Sequence, residues 1–256
     1  MRRTKLYVWL VIASCTVGSI AFFAGKATDL EPVNRGRLPT EEHAAAPRSY
    51  NYKQILARLE SERLRLASRY QRASSAERTA LITEARTILT RSIYDHLFPA
   101  WYGTAWDFNG TTEIPQQGKI ACGYFISTVL RDAGWKVERV RLAQQASENI
   151  ILSLTTDPFI KRFRRVAIAD FVSAVKEWGP GIYIVGLDNH VGFIMNTGDD
   201  VYFIHSSYVD PYMVVKEKAI NSQVLAASNY RVLGNILADD LLISNWLAGR
   251  TIPTKS

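Results

Sequence analysis

Apolar positions along this chain recur with two different periods, helical over the first two thirds and two-residue over the last third. From Tyr50 onward the segment "YKQILARLESERLRLASRYQRA" (52–73) sets Ile55, Leu56, Leu59, Leu64, Leu66 and Tyr70 along one side among many charges, the spacing of an amphipathic helix. "SSAE" (74–77) has the form of a capping box, with Ser74 as N-cap and Glu77 three residues on. It predicts a second helix running to about His96 and ending before Pro99. Residues 100–121 carry Gly103, Gly110, Pro115 and Gly118 and read as loop. A helix from Cys122 to Asp132 follows, stopped at Gly134. Further helices are expected over roughly 139–154 and over "AIADFVSAVKEWG" (167–179), the latter closed by Gly179 and Pro180. The period then changes. "GIYIVGL" (181–187), "HVGFIMN" (190–196), "DVYFIHSSY" (200–208), "YMVVKEK" (212–218) and "NYRVLGNI" (229–236) are β-branched and aromatic runs, with "TGDD" (197–200) as a hairpin turn. "ADDLLISNWLA" (238–248) predicts a closing helix. Helices first and an antiparallel meander second make an α+β layout, and no internal repeat is present.

The N-terminus follows neither rhythm. "MRRTK" is basic, and residues 6–25 ("LYVWLVIASCTVGSIAFFAG") carry no charged side chain. That stretch is long for the apolar part of a signal peptide and suited to a membrane span. The basic flank predicts a cytoplasmic N-terminus and an exported body tethered to the membrane. The alternatives are a cleaved signal peptide, or a lipoprotein through Cys15 in "IASC" (12–15), although the ten residues after Cys15 stay apolar. Residues 26–48 are polar, contain three prolines and read as a linker. The expected organisation is therefore 1–25 anchor or signal, 26–48 linker, 49–98 a helical region packed on the domain or serving as a spacer, and 99–256 the main domain.

Composition narrows the function classes. Of 256 residues, 47% are hydrophobic and 21% charged, enough for one sizeable core with an appendage. The formal charge is +7. Its one local concentration, "KRFRRV" (161–166), is either a solvated face or a contact for an anionic polymer or lipid surface. No basic-aromatic stripe or zinc spacing points to nucleic acid. Asp107, Asp199 and Asp200 lack metal-ligand spacing, and no metal or organic cofactor is implied. "NGT" (109–111) matches a glycosylation sequon and fits a glycine-rich turn equally well.

The candidate chemistry rests on few residues. The chain has two cysteines, Cys15 and Cys122. With Cys15 in the apolar segment, Cys122 has no partner for a disulfide in an exported protein. A lone cysteine before an apolar helix is more often a packing residue, yet a helix N-terminus also favours a thiolate. Of the four histidines, His43 falls in the linker and His96 at a helix end. His190 and His205 fall on adjacent strands of one hairpin, where cross-strand neighbours meet. A thiol, an imidazole and a group that orients the imidazole are the parts of cysteine catalysis.

Four segments occur in order over residues 103–208: "GTAWDFNG" (103–110), "ACGYF" (121–125), "NHVGFI" (189–194) and "YFIHSS" (202–207). Together they resemble the NlpC-type cysteine peptidases of the papain-like clan, which cut amide bonds in cell-wall peptides. The resemblance implies a papain-like core, with Cys122 as nucleophile, His190 as base and then acid, and His205 orienting His190. It implies a cell-wall peptide containing D-amino acids as substrate, and with it a periplasmic enzyme tethered to the inner membrane by residues 6–25. The chain departs from the family at Ala121, where an Asp is usual, at Gly123, where a Ser is usual, and at Trp106, in the place of a loop tyrosine near the oxyanion. Gln116, six residues before Cys122 as in papain, is an alternative oxyanion donor, and Gln117 another. Trp101, Tyr102 and Trp106 either line a groove or pack in the core. Two rival readings stay open. One is a protease or acyltransferase acting on proteins; the other is an anchored binding module that kept the scaffold without the chemistry.

Overall fold

A computed structural model of the chain describes residues 52–256. The apolar segment 6–25, Cys15, the linker 26–48 and His43 lie outside the described residues. Among those described, no helix is long and apolar enough to cross a membrane.

Two antiparallel helices, α1 (Tyr52–Arg72) and α2 (Ser75–Ser92), open the structure. The capping box between them forms as expected: the Ser74 N–H donates to Glu77 Oε2 at 2.7 Å, and the Glu77 N–H reaches Ser74 Oγ at 3.5 Å. Leu59, Leu66 and Ala67 of α1 are buried, but Leu64 is 54% exposed. The inward stripe runs through Leu59, Arg63 and Leu66 at helical spacing, and Leu64 falls off it. Arg63 holds its place there by donating to the Trp246 carbonyl at 3.3 Å and to Glu60. The stop expected before Pro99 does not occur. Ile93–Leu97 widens into a π-helical turn, and the chain re-enters a helix, α3 (Phe98–Trp101). Pro99 is the second residue of α3, directly after the widened turn, a local adjustment by which a continuing helix accommodates a proline.

The short strands β1 (Ala105–Trp106) and β2 (Lys119–Ile120) pair in parallel within the segment expected to be loop. Helix α4 (Cys122–Asp132) ends at Gly134, whose φ of 99° is the left-handed conformation that favours glycine. Strand β3 (Lys136–Val137) follows. The single helix expected over 139–154 is instead two, α5 (Arg139–Ala143) and α6 (Ser147–Leu154), broken at Gln144–Ala146.

The main sheet comprises β4 (Ile160–Arg164), β5 (Gly181–Leu187), β6 (Val191–Asn196), β7 (Val201–Ser206), β8 (Val214–Lys218) and β9 (Tyr230–Gly234). Its strands run in the order β4-β9-β5-β6-β7-β8, every neighbouring pair antiparallel. Only β5 to β8 form a meander, because β9 returns to the far side of β5. The basic run is largely the edge strand β4. Its Lys161, Arg162 and Arg164 are exposed, and Phe163 packs edge-to-face on Phe171. Charge on an edge strand discourages pairing with other chains. Helices α7 (Ile168–Trp178), α8 (Gln223–Ala227) and α9 (Asp240–Ala248) complete the fold, with β10 (Thr251–Ile252) pairing β3.

Alternation along β6 divides the interior. Val191, Phe193 and Met195 face a core that includes Phe125, Ile126 and Val129 of α4 together with Leu89, Leu97, Phe98 and Trp101. Ile194 faces a second core with Phe171, Val175, Phe203 and Leu225. Both sheet faces are thus covered. The Phe193 ring lies 5.0 Å from Phe98 and 5.8 Å from Phe125, and burying each such side chain is worth roughly 1.5–3 kcal/mol. The N-terminal helices and the sheet accordingly share one hydrophobic cluster.

Candidate active site

Cys122 is the first residue of α4, after Ala121 in extended conformation. The approach to it is tightly held. Ser206 of β7 donates to the Ile120 carbonyl at 2.7 Å, and the Ala121 N–H donates to the Gly110 carbonyl at 2.9 Å. Gly123 has a steric reason. A Cβ built there would lie 2.1 Å from the Ala143 carbonyl oxygen, so the serine usual in the resembled family does not fit against the end of α5.

His190 sits just before β6, its carbonyl accepting from the Leu187 N–H at 2.8 Å. His205 is on β7. The side chains meet, with His190 Nε2 2.9 Å from His205 Nδ1. The cross-strand proximity expected from the hairpin is therefore present. The other nitrogen of His205, Nε2, lies 3.2 Å from Glu217 Oε1 on β8. The His205 ring stacks on Phe203 at 4.0 Å, and His190 meets Tyr208 edge-on at 5.1 Å. Gly192 makes room for this stack: a Cβ there would approach Phe203 to 2.4 Å and His205 Cβ to 2.9 Å. His190 and His205 are 3% and 1% exposed.

Cys122 and His190 line the same cavity, of about 780 Å³, with Trp106, Phe108, Tyr124 and Tyr208 among its walls. A smaller cavity of about 250 Å³ also touches Cys122 and His190 and is bounded by Ser147 and Asp188. The two cavities meet at Cys122 and His190. Trp106 is set in the larger wall by its N–H bond to the Tyr212 carbonyl at 2.8 Å, its ring against Tyr208 and Tyr212.

The two glutamines proposed as oxyanion donors lie elsewhere. Gln116 donates its side-chain amide to the Ala100 carbonyl at 3.2 Å and its N–H to Thr104 Oγ1 at 2.8 Å. Gln117 is exposed, its carbonyl accepting from Thr112. Neither lines a cavity with Cys122, whereas Gln144 and Asn189 line the larger one. Trp101 is fully buried, and Tyr102 packs against the same core. Gln144, Asn189, Tyr208 and Glu217 escaped sequence reasoning. What marks Glu217 out is the strand register alone: it stands two residues beyond Val215, the partner of His205, and such diagonal neighbours share a sheet face.

Burial governs the charges. It pushes the Cys122 thiol above its ordinary value, against N–H groups of Val191, Gly123 and Cys122 itself that favour the thiolate. Desolvation thus outweighs the pull of the helix N-terminus toward the thiolate. Burial, aided by the neighbouring His205, holds His190 well below the usual imidazole range. Burial lowers His205 too, and Glu217 opposes that shift. Against its own desolvation, hydrogen bonds from His205 and Ser222 keep the Glu217 carboxyl below its usual range. The resting site therefore holds a neutral thiol, two neutral imidazoles and one carboxylate. A neutral imidazole that shares a cavity with a thiol can serve as its general base, and the Cys122 and Gly123 N–H groups at the start of α4, which face the thiol, can also serve a developing oxyanion. No family model, curated protein or solved structure matches the chain.

Proposed function

We propose that the protein is a cysteine hydrolase with a papain-like core that cleaves amide bonds through an acyl-enzyme on Cys122. The observation that carries this reading is the 2.9 Å bond between His190 and His205 beside a cavity that His190 shares with Cys122. In the proposed cycle His190 takes the thiol proton as Sγ attacks the carbonyl carbon. The tetrahedral intermediate collapses, the C–N bond breaks, and the imidazolium returns the proton to the leaving amine. Water, deprotonated by His190, then attacks the thioester; the acid departs and the thiol regains its proton. His205 holds the His190 ring throughout. The resemblance in the four motifs supports a cell-wall peptide as substrate, met outside the cytoplasm by a body tethered through residues 6–25. An acyl transfer to an amine would use the same site.

The test is to incubate the full chain with purified cell-wall stem peptides and follow new amine and carboxyl ends by mass spectrometry. Cleavage by wild type that is absent from Cys122→Ala and His190→Ala is the expected result. Added amine acceptors separate hydrolysis from transfer by the product formed. The protonated thiol favours a second reading, a binding module without chemistry. That reading requires wild type and Cys122→Ala to bind the peptides equally and cleave none.

A further inference from the structure

We infer that Glu217 is a positioning residue that fixes the tautomers of both histidines, leaving Nδ1 of His190 as the base. Donors and acceptors alternate from Glu217 on β8 through His205 on β7 to His190, the residue before β6. An ionised carboxylate can only accept hydrogen bonds. The His205 Nε2 that lies 3.2 Å from Glu217 Oε1 must therefore carry the proton and donate it. A neutral imidazole has one N–H, so His205 Nδ1 is left with a lone pair. His190 Nε2, 2.9 Å from that lone pair, must then be the donor. The proton of His190 is thereby placed on Nε2, and its Nδ1 is the unprotonated nitrogen that remains for the thiol. Reversing any one bond in the series would leave two lone pairs or two protons facing each other.

The surroundings hold Glu217 in this part. Ser222 is buried and hydrogen-bonds the carboxylate. The Leu225 N–H donates to Ser222 Oγ at 3.2 Å, which leaves the Ser222 proton free for Glu217. The flanking cations are engaged elsewhere: Lys216 donates to Tyr94 at 2.9 Å, and Lys218 pairs with Asp200 at 3.3 Å. Burial keeps both imidazoles neutral, which the one-proton count requires. Glu217 lines neither cavity that holds Cys122, so it acts through His205 rather than on substrate.

The catalytic consequence rests on the proposed hydrolase; the tautomers do not. Nitrogen-15 long-range correlation spectra of the uniformly labelled full chain at pH 7.5 report which ring nitrogen carries each proton. His43→Gln and His96→Gln variants separate the signals. Wild type should show both His190 and His205 protonated at Nε2 alone. Glu217→Met, which keeps the bulk and removes the acceptor, should give averaged nitrogens in both rings and lower kcat about 10- to 100-fold with KM unchanged. A proton on His190 Nδ1 in wild type overturns the inference, whether or not the variant folds, as do unaltered tautomers in Glu217→Met. If the tautomers are as stated and no peptide is cleaved, the hydrolase reading falls and the assignment of Glu217 stands. If wild type cleaves and Glu217→Met retains full kcat, the positioning role falls alone.

Discussion

Alkylation of Cys122 by iodoacetamide should be slow at neutral pH and accelerate only above the ordinary thiol range. The structure sets the size of this effect through two opposed shifts. The thiol is raised from its usual position and the imidazole of His190 lowered from its own, each chiefly by burial. With unperturbed values near 8.5 and 6.5, the two groups are separated by at least about 2 units. Between those values the thiolate–imidazolium pair is then at most about 1% of the protein, and each further unit of separation cuts that tenfold. The assay follows mass-resolved modification of the full chain from pH 5 to pH 10, wild type against His190→Ala. Both should rise along a single limb with a midpoint above about 8.5, and the variant should differ little. Turnover of peptide, by contrast, should depend on His190 across the whole range, because there the imidazole acts in the transition state. A plateau of reactivity below pH 7 in wild type, abolished in His190→Ala, would show that the ion pair dominates and that burial does not set the charges.

Two further outcomes bear on the scaffold of the site. Gly123→Ala places a Cβ about where the Ala143 carbonyl stands, 2.1 Å away, so α5 or the start of α4 must move; a loss of roughly 1–3 kcal/mol is expected in urea unfolding, and an unchanged midpoint would mean that the 143–145 wall yields freely. Both buried histidines have folded-state values below the unfolded one, so the unfolded chain binds more protons below about pH 6.5. Their contribution to stability is complete above that pH and is lost as pH falls toward the folded values. Between pH 6.5 and 5.5 the loss should reach up to about 2 kcal/mol, visible as a falling urea midpoint in wild type and flattened in His190→Asn/His205→Asn; a flat wild-type profile would contradict the burial of neutral imidazoles.

What could be read from the residues and what could not divides along the range of the interactions involved. The Ser74–Glu77 box, the stops at Gly134 and Gly179 and the turn at Thr197–Asp200 are set by residues within a few positions of one another, and each occurs. The meeting of His190 and His205 was legible for a related reason, since a tight hairpin leaves little freedom in which residues face each other. Leu64 was misplaced because Arg63 found a carbonyl on α9 that compensates its burial, and that partner lies far away in the chain. Gln116 has the spacing of an oxyanion donor, but its amide goes to Ala100 and its N–H to Thr104, destinations that no periodicity in a glycine-rich loop reports. The thiol looked acidic from its place at a helix start, whereas its environment is decided by segments arriving from residues 143–145 and 189–191. Glu217 shows the limit most sharply. Between Lys216 and Lys218 it resembles the solvated charges of an edge strand, a role the two lysines do fill. The strand register alone separates it from them: β8 pairs with β7 so that His205 faces Val215, and the residue two further on shares the imidazole's side of the sheet. A shift of that register by one residue would turn Glu217 outward and present a lysine to the histidine pair. The pairing of β8 with β7 is therefore as much a condition of the proposed chemistry as the cysteine itself.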